Sequence, residues 1–343
     1  MKYTLGIETS CDETSVSVVA SGPSAGDILS NLVLSQTEIH KYFGGVIPEL
    51  ASRRHLEVLD ALTTAALKKA RITAKDLGLI AVTSGPGLVG ALLIGLSFAK
   101  GLAYSLNIPL VAVNHIEGHL YANFMENRHI TTPCIGLVVS GGHTILLEVN
   151  DIGNYRPLGQ TRDDAAGEAF DKVAKLLGLG YPGGPVIDKL SRRGNPAAVK
   201  FPRAMRKHHN YDFSLSGLKT AVVYYVQGYG QYRKNNAENN AISTPDLAAS
   251  FQEAVIDQLA QKTFQAVRDT GRKTIILGGG VTRNHRLRTR FTCEAEKNGC
   301  QVYLPSPVLC TDNAAMIAGL GYHKFQATGP SPLDIDANPN LSI

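Results

Sequence analysis

Residues 3–19, YTLGIETSCDETSVSVV, and residues 135–149, IGLVVSGGHTILLEV, follow one and the same pattern. Each has an apolar run, then a polar turn with Gly, Ser or Thr at its tip, and then a second run that alternates apolar and polar residues. This pattern predicts a β-hairpin in both places. The repetition predicts two similar lobes with a cleft between them.

Helix-like and strand-like segments alternate after each hairpin. The stretches 49–71 and 164–179 have helical character, and the apolar runs LIAVTS at 79–84 and KTIILGGGV at 273–281 are typical of buried strands. Strands mixed with helices in this way indicate an α/β architecture.

The boundaries of the two lobes follow from the same reading. We expect an N-terminal lobe of residues 1–132 plus 320–343, and a C-terminal lobe of 133–319 with an insertion at about 180–245. The insertion contains YPGGP and the polar run KNNAENNAIS, which favour loops. The final stretch, PLDIDANPNLSI, predicts a loosely ordered tail.

Composition limits the class of protein. The 343 residues are too many for one ordinary core, and 44% hydrophobic with 18% charged residues suits a soluble globular protein. Five cysteines without a C-x-x-C pair indicate a reducing compartment. The start, MKYTLGIETS, lacks the apolar region of a signal peptide, and the uncharged run 77–99 is interrupted by S-G-P-G. We expect a cytoplasmic protein with no membrane span.

Positive charge is concentrated in one part of the chain. Residues 189–234 contain ten Lys and Arg residues against one acid, Asp212, with several aromatic residues among them, and a second basic cluster runs from Arg283 to Arg290. A basic surface with aromatics suits a polyanion such as RNA. A solvated helix–loop face is the alternative. The basic residues of the first segment are Lys189, Arg192, Arg193, Lys200, Arg203, Arg206, Lys207, Lys219, Arg233 and Lys234.

The stretch HIEGHLYAN, residues 115–123, places His115 and His119 on one face of a helix, where they can hold one metal ion. A zinc peptidase carries its glutamate directly after the first histidine. Glu117 comes one residue later and faces the opposite side. Asp312, just before a helix of small apolar residues, is a candidate third ligand, although a helix cap is the ordinary role for such an aspartate. Two His and one Asp suit Fe(II) or Zn(II).

Two glycine-rich turns are candidates for binding a phosphate-containing ligand. Bare backbone N–H groups can form a nest in VVSGGHT, residues 138–144, and in Gly278–Gly280 before a helix. A plain β-turn explains the first equally, and helix capping explains Asn284. Asp171 and Asp188 suit ribose hydroxyls, with a solvated helix face as the alternative.

Taken together, these blocks resemble the bacterial branch of the universal tRNA threonylcarbamoyladenosine synthases, once described as O-sialoglycoprotein endopeptidases. The resemblance covers nearly the whole chain in the family's order and weakens at 226–245 and in the last twenty residues. The matching blocks are GIETSCDETS (6–15), GGVIPELASR (44–53), GPGLVGALLIG (85–95), HIEGHLYA (115–122), VSGGHT (139–144), DDAAGEAFDKVAKLLGLGYPGGP (163–185), DFSLSGLKT (212–220), GGGVTRN (278–284) and CTDNAAMIA (310–318).

The resemblance implies a two-lobed fold of the actin-like, sugar kinase and Hsp70 ATPase class. It implies transfer of threonylcarbamoyl from threonylcarbamoyl-AMP to N6 of adenosine 37, in the anticodon loop of tRNAs that read codons starting with A. It also implies two protein partners, a degenerate paralogue of the same fold and a small P-loop ATPase. Its metal ligands, for Fe(II) or Zn(II), correspond to His115, His119 and Asp312. Its donor site corresponds to Val138, Val139, Ser140, Gly141, Gly142, Asp171, Gly184, Asp188 and Asn284.

The proton acceptor does not follow from these motifs. Because the adenine amine must lose a proton, Asp12 and Glu13 at the tip of the first hairpin are candidates for this role. Two other functions compete with transfer. A metallopeptidase acting on glycoproteins conflicts with the position of Glu117, and a non-enzymatic ATP-binding scaffold has no need of the metal ligands.

Overall fold

The computed structural model describes residues 3–22, 26–203, 210–229 and 242–343. The chain divides into two compact units: Met1–Ile130 with Pro305–Ile343 forms the first, and Thr131–Leu304 forms the second. The predicted second lobe extended to residue 319. Residues 305–319 instead belong to the first unit, because the helix that begins at Ala314 packs on its sheet.

The first unit contains a five-stranded sheet in the order β3-β2-β1-β4-β5. Strand β1 pairs antiparallel with β2, and β2 pairs antiparallel with β3, whereas β4 and β5 run parallel to β1. Apolar side chains of β1 and β4 are fully buried, as expected for central strands. The strands are β1 (Tyr3–Glu8), β2 (Glu13–Ala20), β3 (Ile28–Ser35), β4 (Leu77–Gly85) and β5 (Leu110–Asn114).

The sheet of the second unit repeats this topology strand for strand, in the order β10-β9-β6-β7-β8. Both predicted hairpins are confirmed as β1–β2 and β6–β7. Each is extended by a third antiparallel strand that the sequence analysis did not identify. The strands are β6 (Cys134–Val139), β7 (Thr144–Asp151), β8 (Asn154–Gln160), β9 (Thr274–Gly278) and β10 (Gln301–Tyr303).

Helices follow the strands in both units. The predicted helices at 49–71, 115–123 and 164–179 are confirmed within one or two residues at most ends. The predicted insertion at 180–245 contains two further helices, and its asparagine-rich part lies outside the described residues. The helices are α1 (Thr37–His40), α2 (Pro48–Ala70), α3 (Val89–Leu106), α4 (His115–Glu126), α5 (Ala166–Leu176), α6 (Gly183–Ser191), α7 (Ser216–Gln227), α8 (Thr244–Thr270), α9 (His285–Lys297), α10 (Pro307–Cys310) and α11 (Ala314–Thr328).

The uncharged run 77–99 forms β4, a turn at Gly85–Leu88 and the first part of α3. The strand predicted at 79–84 and the interruption at S-G-P-G are therefore confirmed. Within the described residues, α3 is a helix long and apolar enough to cross a membrane, and about two thirds of it is not buried in the structure. One face of α3 packs on α2 and β4, and the opposite face exposes Val89, Leu93 and Tyr104.

Helix α11 lies directly on strand β1. At Gly6 of β1, a Cβ atom would collide with the carbonyl oxygen of Ala314 and with Ala318. The absence of a side chain at Gly6 therefore sets how closely α11 approaches the sheet. Helix α11 also packs on α4, so its first turn is held against the start of α4.

The end of the chain is ordered, which corrects the prediction of a loose tail. The backbone N–H of Asn338 donates to Ser84 O at 2.8 Å, and that of Gly87 donates to Pro339 O at 3.1 Å. The side chain of Asn114 donates to Ser342 O at 3.1 Å. Residues 338–342 therefore bridge the turn after β4 and the residue that precedes α4.

We expect Gly6→Ala to destabilise the protein by about 1–3 kcal/mol or more, because the added methyl group must displace α11. Thermal or urea unfolding measures this effect. Gly101→Ala is the matched control: it lies within α3 with open space around it, and alanine there should stabilise by about 0.5–1 kcal/mol. A Gly6→Ala protein as stable as wild type would contradict the close packing of α11.

Candidate metal centre and nucleotide site

Helix α4 begins with a capped turn that orients both histidines. The side-chain oxygen of Asn114 accepts the N–H groups of Ile116 at 2.8 Å and Glu117 at 3.3 Å. This is the ordinary N-cap interaction. His115 is the first residue of the helix and His119 lies one turn later, so the two imidazoles share a face, as predicted.

The structure brings His115, His119 and Asp312 together in the first unit. Oδ1 of Asp312 lies 3.2 Å from Nε2 of His119 and 3.5 Å from Nε2 of His115. The candidate ligand atoms of the three residues all lie within 4.8 Å of one another. Both histidines are almost fully buried. Among the described residues, this group alone has the composition and spacing of a metal site.

The chemistry of these residues fits a divalent cation. Although Nε2 of His119 is close to Asp312, neither ring nitrogen of His119 has a hydrogen-bond partner of acceptable geometry within the described residues. An unpaired polar atom in the interior is costly. A cation between the two imidazoles and the carboxylate would use Nε2 of His119 and match the ligands that Zn(II) and Fe(II) accept.

Asp312 is not the cap of α11. The side-chain oxygen of Asn313 accepts the N–H of Met316 at 3.1 Å, so Asn313 is the N-cap residue. The ordinary structural role considered for Asp312 in the sequence analysis is therefore taken by its neighbour. Asp312 is left facing the two histidines.

Glu8, at the end of β1, is a site residue that the sequence analysis missed. Its Oε2 lies 3.0 Å from Nδ1 of His115 and accepts the hydroxyl of Thr83 at 2.5 Å, while Oε1 accepts the N–H of Ser10 at 2.5 Å. A carboxylate on the second nitrogen of a metal-binding histidine fixes its tautomer and ring orientation. The feature of the sequence that could have identified Glu8 was a single acid at the end of a mostly apolar predicted strand.

The carboxylates control the protonation of the two histidines. Burial opposes charge on His115, but Glu8 and Asp312 outweigh it and raise the pKa of His115 to about 9. Burial lowers the pKa of His119 below its ordinary value. Burial also opposes charge on Glu8, but the adjacent His115 holds the pKa of Glu8 below its ordinary value. A cation must therefore compete with a proton on His115.

Asp12 and Glu13 lie in the turn and first residue of β2, beside the same group. Asp12 is buried, and its carbonyl oxygen accepts the N–H of Gln36 at 3.0 Å. Burial, together with the charges of Asp12 and Asp312, raises the pKa of Glu13 well above its ordinary value. Glu13 is thus close enough to Asp312 and Asp12 for their charges to act on it.

The predicted donor-binding turn lies in the second unit, at the end of β6. Ser140 closes the turn by accepting the N–H of His143 on its hydroxyl at 3.1 Å, and its own N–H donates to His143 O at 2.8 Å. Gly141 and Gly142 are exposed, with open space where a side chain would be. Val138 and Val139 are buried strand residues, so their backbone is what they can offer a ligand.

The backbone of two other segments lies against this turn. The start of α5 touches Ser140 and Gly141 through Gly167, which has no side chain. Gly279, with φ of +94°, follows β9 and lies against Val139. These contacts place the ends of the adjacent strands β6 and β9 and the start of α5 in one region. Parallel strands of an α/β sheet commonly bind ligands at their carboxyl ends.

Two of the polar residues already have structural partners. Asp171 accepts the N–H of Gly183, the first residue of α6, at 2.6 Å. Asn284 caps α9 through Leu287 N at 2.9 Å and donates to Gln252 at 2.6 Å. The capping role considered for Asn284 is therefore confirmed, and the residue lies in the segment between β9 and α9.

Asp188 differs from Asp171 and Asn284, because only one of its two carboxylate oxygens has a partner among the described residues. One of its oxygens accepts from Arg192 at 2.9 Å, while Oδ1 is buried without a hydrogen-bond partner in the described part of the chain. Gly184, one turn earlier on α6, has open space around it. A ligand hydroxyl is one group that would satisfy Oδ1 of Asp188.

Comparison with known proteins identifies the family. The family model for tRNA N6-adenosine threonylcarbamoyltransferase matches residues 27–319. The chain belongs to this family. The enzymes of that name from Clostridioides difficile (strain 630) and Dictyoglomus turgidum are each 53% identical to it over 340 residues, covering 99% of this chain and 98% of theirs. The chain is therefore a transferase that carries threonylcarbamoyl to tRNA.

Solved structures of distant proteins share the fold. Full-length HypF in a phosphate- and nucleotide-bound form superposes with a TM-score of 0.61 at 14% identity, over 96% of this chain and 56% of that one. Component A of the Acidaminococcus fermentans (R)-2-hydroxyglutaryl-CoA dehydratase gives 0.56 at 12% identity, over 94% and 99%. These likenesses, with the two matching sheets, confirm the predicted fold class of actin-like ATPases.

We expect Glu8→Gln to weaken binding of a divalent metal about 10- to 100-fold, because the amide cannot hold the tautomer of His115 as the carboxylate does. Titration of the metal-free protein with Zn(II) or Fe(II) measures this. Thr83→Val, which removes one hydrogen bond to Glu8 but keeps its charge, should have a smaller effect. Equal affinity in wild type and Glu8→Gln would mean that Glu8 does not support the histidine.

We expect Asp312→Asn to lose metal affinity without losing helix stability, because Asn313 caps α11 and an amide is a poorer ligand than a carboxylate. Unfolding of the metal-free protein reports the helix, and metal titration reports the ligand. Asn313→Ala is the matched control and should cost about 0.5–2 kcal/mol of stability. Unchanged metal affinity in Asp312→Asn would remove it from the site.

Proposed function

We propose that the transferred group comes from threonylcarbamoyl-AMP and is received by N6 of adenosine 37, in tRNAs that read codons starting with A. The donor is a mixed carbamic–phosphoric anhydride and is already activated, so the reaction needs no nucleophilic side chain. The site is consistent with this, because it offers carboxylates, imidazoles and backbone N–H groups. The arrangement of His115, His119 and Asp312 is the single observation that carries the proposal.

The second unit holds the nucleotide part of the donor in this proposal. The turn at Val138–Gly142 presents backbone N–H groups and open space, as phosphate oxygens require. Asp188 has a buried oxygen in need of a donor, which a ribose hydroxyl supplies. Asp171 and Asn284 line the same region and fix the starts of α6 and α9.

The first unit holds one divalent metal ion, with Fe(II) preferred and Zn(II) as the alternative. When bound, such an ion supplies a Lewis acid that orients the oxygen atoms of the donor and stabilises negative charge in the transition state. The residues of the chain position it: Glu8 orients His115, and the N-cap at Asn114 fixes the first turn of α4.

The transfer itself forms one bond and breaks one. N6 of the adenosine attacks the carbamoyl carbon, and the bond from that carbon to the phosphate oxygen of AMP breaks, so AMP leaves with the electron pair. The proton of N6 passes to a carboxylate. Asp12 or Glu13 is our candidate for the acceptor, and the raised pKa of Glu13 makes its carboxylate a stronger base.

The decisive experiment is reconstitution with purified donor and an unmodified tRNA transcript. The expected product is threonylcarbamoyladenosine at position 37, and an adenosine-to-guanosine change at that position should abolish it. His115→Ala and His119→Ala should lose both bound metal and product while remaining folded. Transfer at the wild-type rate by a protein with no bound metal would contradict the proposed role of the triad.

The described structure changes the set of residues proposed to contact tRNA. Arg203 donates to Asp257 at 2.9 Å, and Arg286 donates twice to Glu253 at 2.6 and 2.7 Å. Acids of α8 thus neutralise arginines that look unopposed in the sequence. Arg206 and Lys207 lie outside the described residues. Lys189, Arg193 and Lys200 are exposed and have no ion pair within the described part, so we propose them as phosphate contacts.

We expect the triple change Lys189→Gln, Arg193→Gln and Lys200→Gln to weaken tRNA binding and flatten its salt dependence. Each lost phosphate contact lowers the slope of log affinity against log salt by roughly 0.7–0.9. Arg203→Gln is the control, and it should reduce stability with little change in slope, because it breaks the pair with Asp257. An unchanged slope in the triple variant would assign tRNA binding to another surface.

We propose two protein partners, a degenerate paralogue of the same fold and a small P-loop ATPase, and a cytoplasmic location. The exposed apolar side chains of α3, with Leu56 of α2, support an interface with the paralogue. The five cysteines are unpaired, which is consistent with a reducing compartment. Leu93→Glu should prevent co-purification with the paralogue while leaving the isolated chain folded.

A further inference from the structure

Two aromatic side chains are exposed in a short turn close to the proposed catalytic acids. We define the aromatic turn as residues 40–45, HKYFGG. Tyr42 is 81% exposed and Phe43 is 54% exposed. Lys41 places its ammonium group 5.4 Å from the ring centroid of Tyr42. Exposed apolar side chains that lie side by side, rather than scattered singly, are typical of a binding surface.

The aromatic turn is firmly anchored. His40 is fully buried: its Nδ1 accepts the N–H of Ile47 at 3.2 Å, and its Nε2 lies 3.3 Å from Oε1 of Gln36. The N–H groups of Phe43 and Gly45 donate to His40 O at 3.0 and 3.4 Å. The rings are therefore presented from a fixed backbone.

This anchor connects the turn to the site. Gln36, also buried, donates its N–H to the carbonyl oxygen of Asp12 at 3.0 Å. Its neighbour Ser35 donates its hydroxyl to Glu13 at 3.4 Å. Ser35 and Gln36 thus contact the two candidate proton acceptors, and the chain runs from them directly into the aromatic turn.

An unpaired nucleobase fits this surface better than an apolar peptide does. Single-stranded RNA is recognised by stacking its bases on exposed aromatic rings, with cations alongside for the phosphates. Tyr42 and Phe43 supply the stacking rings, and the ammonium group of Lys41 lies beside the ring of Tyr42 while it is paired with Glu38. The target adenosine must also leave the stack of the anticodon loop before its amine can react, and it or a neighbouring base then needs a new stacking surface.

We infer that Tyr42 and Phe43 form a stacking platform for an unpaired base of the tRNA anticodon loop, next to the carboxylates that receive the proton. This inference rests on the proposed tRNA substrate. Stacking on an aromatic ring is sequence-tolerant, so the platform positions the loop while other contacts select the base.

The test uses the fact that the chain contains no tryptophan. Phe43→Trp creates a single fluorophore that keeps the stacking function. An RNA stem-loop with an unpaired anticodon loop should quench it, whereas a fully paired hairpin of equal charge should not. Leu333→Trp is the control: Leu333 is 46% exposed near the end of the chain, away from every binding surface proposed above, and should not respond to either RNA.

The kinetic arm uses the full chain in the reconstituted transfer reaction. Phe43→Ala and Tyr42→Ala should each raise KM for tRNA about 5- to 100-fold, with KM for the donor unchanged, and Phe43→Tyr should restore the wild-type value. Leu333→Ala serves as the control. Normal KM for tRNA in both alanine variants, or equal quenching by paired and unpaired RNA, would overturn the platform.

Two results would separate this inference from the proposed function. Loss of binding to a protein partner in Phe43→Ala, with RNA binding intact, would show that the turn is a protein interface and would overturn the inference alone. Failure of the wild-type system to transfer threonylcarbamoyl to any tRNA would overturn the proposed function and the inference with it.

Discussion

The carboxylate of Glu8, buried at the end of the central strand β1, is the constraint around which the first unit is arranged. A buried charge is tolerated only where hydrogen bonds and an opposite charge compensate it. Ser10, Thr83 and His115 provide that compensation, and they come from the turn after β1, from β4 and from α4. One side chain thereby ties together the elements that carry the candidate metal ligands.

The position of Asp312, the third candidate ligand, depends on how helix α11 packs. Asp312 reaches the histidines because α11 lies flat on β1 and against α4, which Gly6 permits. The end of the chain also helps to fix the start of α4, because Ser342 accepts a hydrogen bond from Asn114, the cap of α4. The starts of α4 and α11 are thus both held in place, so the geometry of the triad belongs to the folded unit and need not wait for a ligand.

A feature of this structure was predictable from the sequence where the residues that form it are close together in the chain. The hairpins and helices have local patterns, and the duplicated order of strands followed from them. His115 and His119 were predictable as a pair because helical spacing alone brings them together. The third strands, Glu8 and the ordered tail were missed because the decisive contacts join residues far apart in the chain. Asp312 was identified as a ligand on motif and resemblance, yet only Asn313 in the structure shows that the helix has another cap.

The distribution of charge was also hard to predict, because ion pairs form between residues far apart in the chain. A count along the sequence shows ten basic residues against one acid in 189–234, because it compares neighbours in the chain. In the fold, Glu253 and Asp257 of α8 are the partners of Arg286 and Arg203. An arginine that is already paired with a partly buried carboxylate gains little free energy from binding a phosphate, because it must first break that ion pair. The residues that can gain from RNA are those that folding leaves exposed and unpaired, and the sequence alone does not distinguish the two groups.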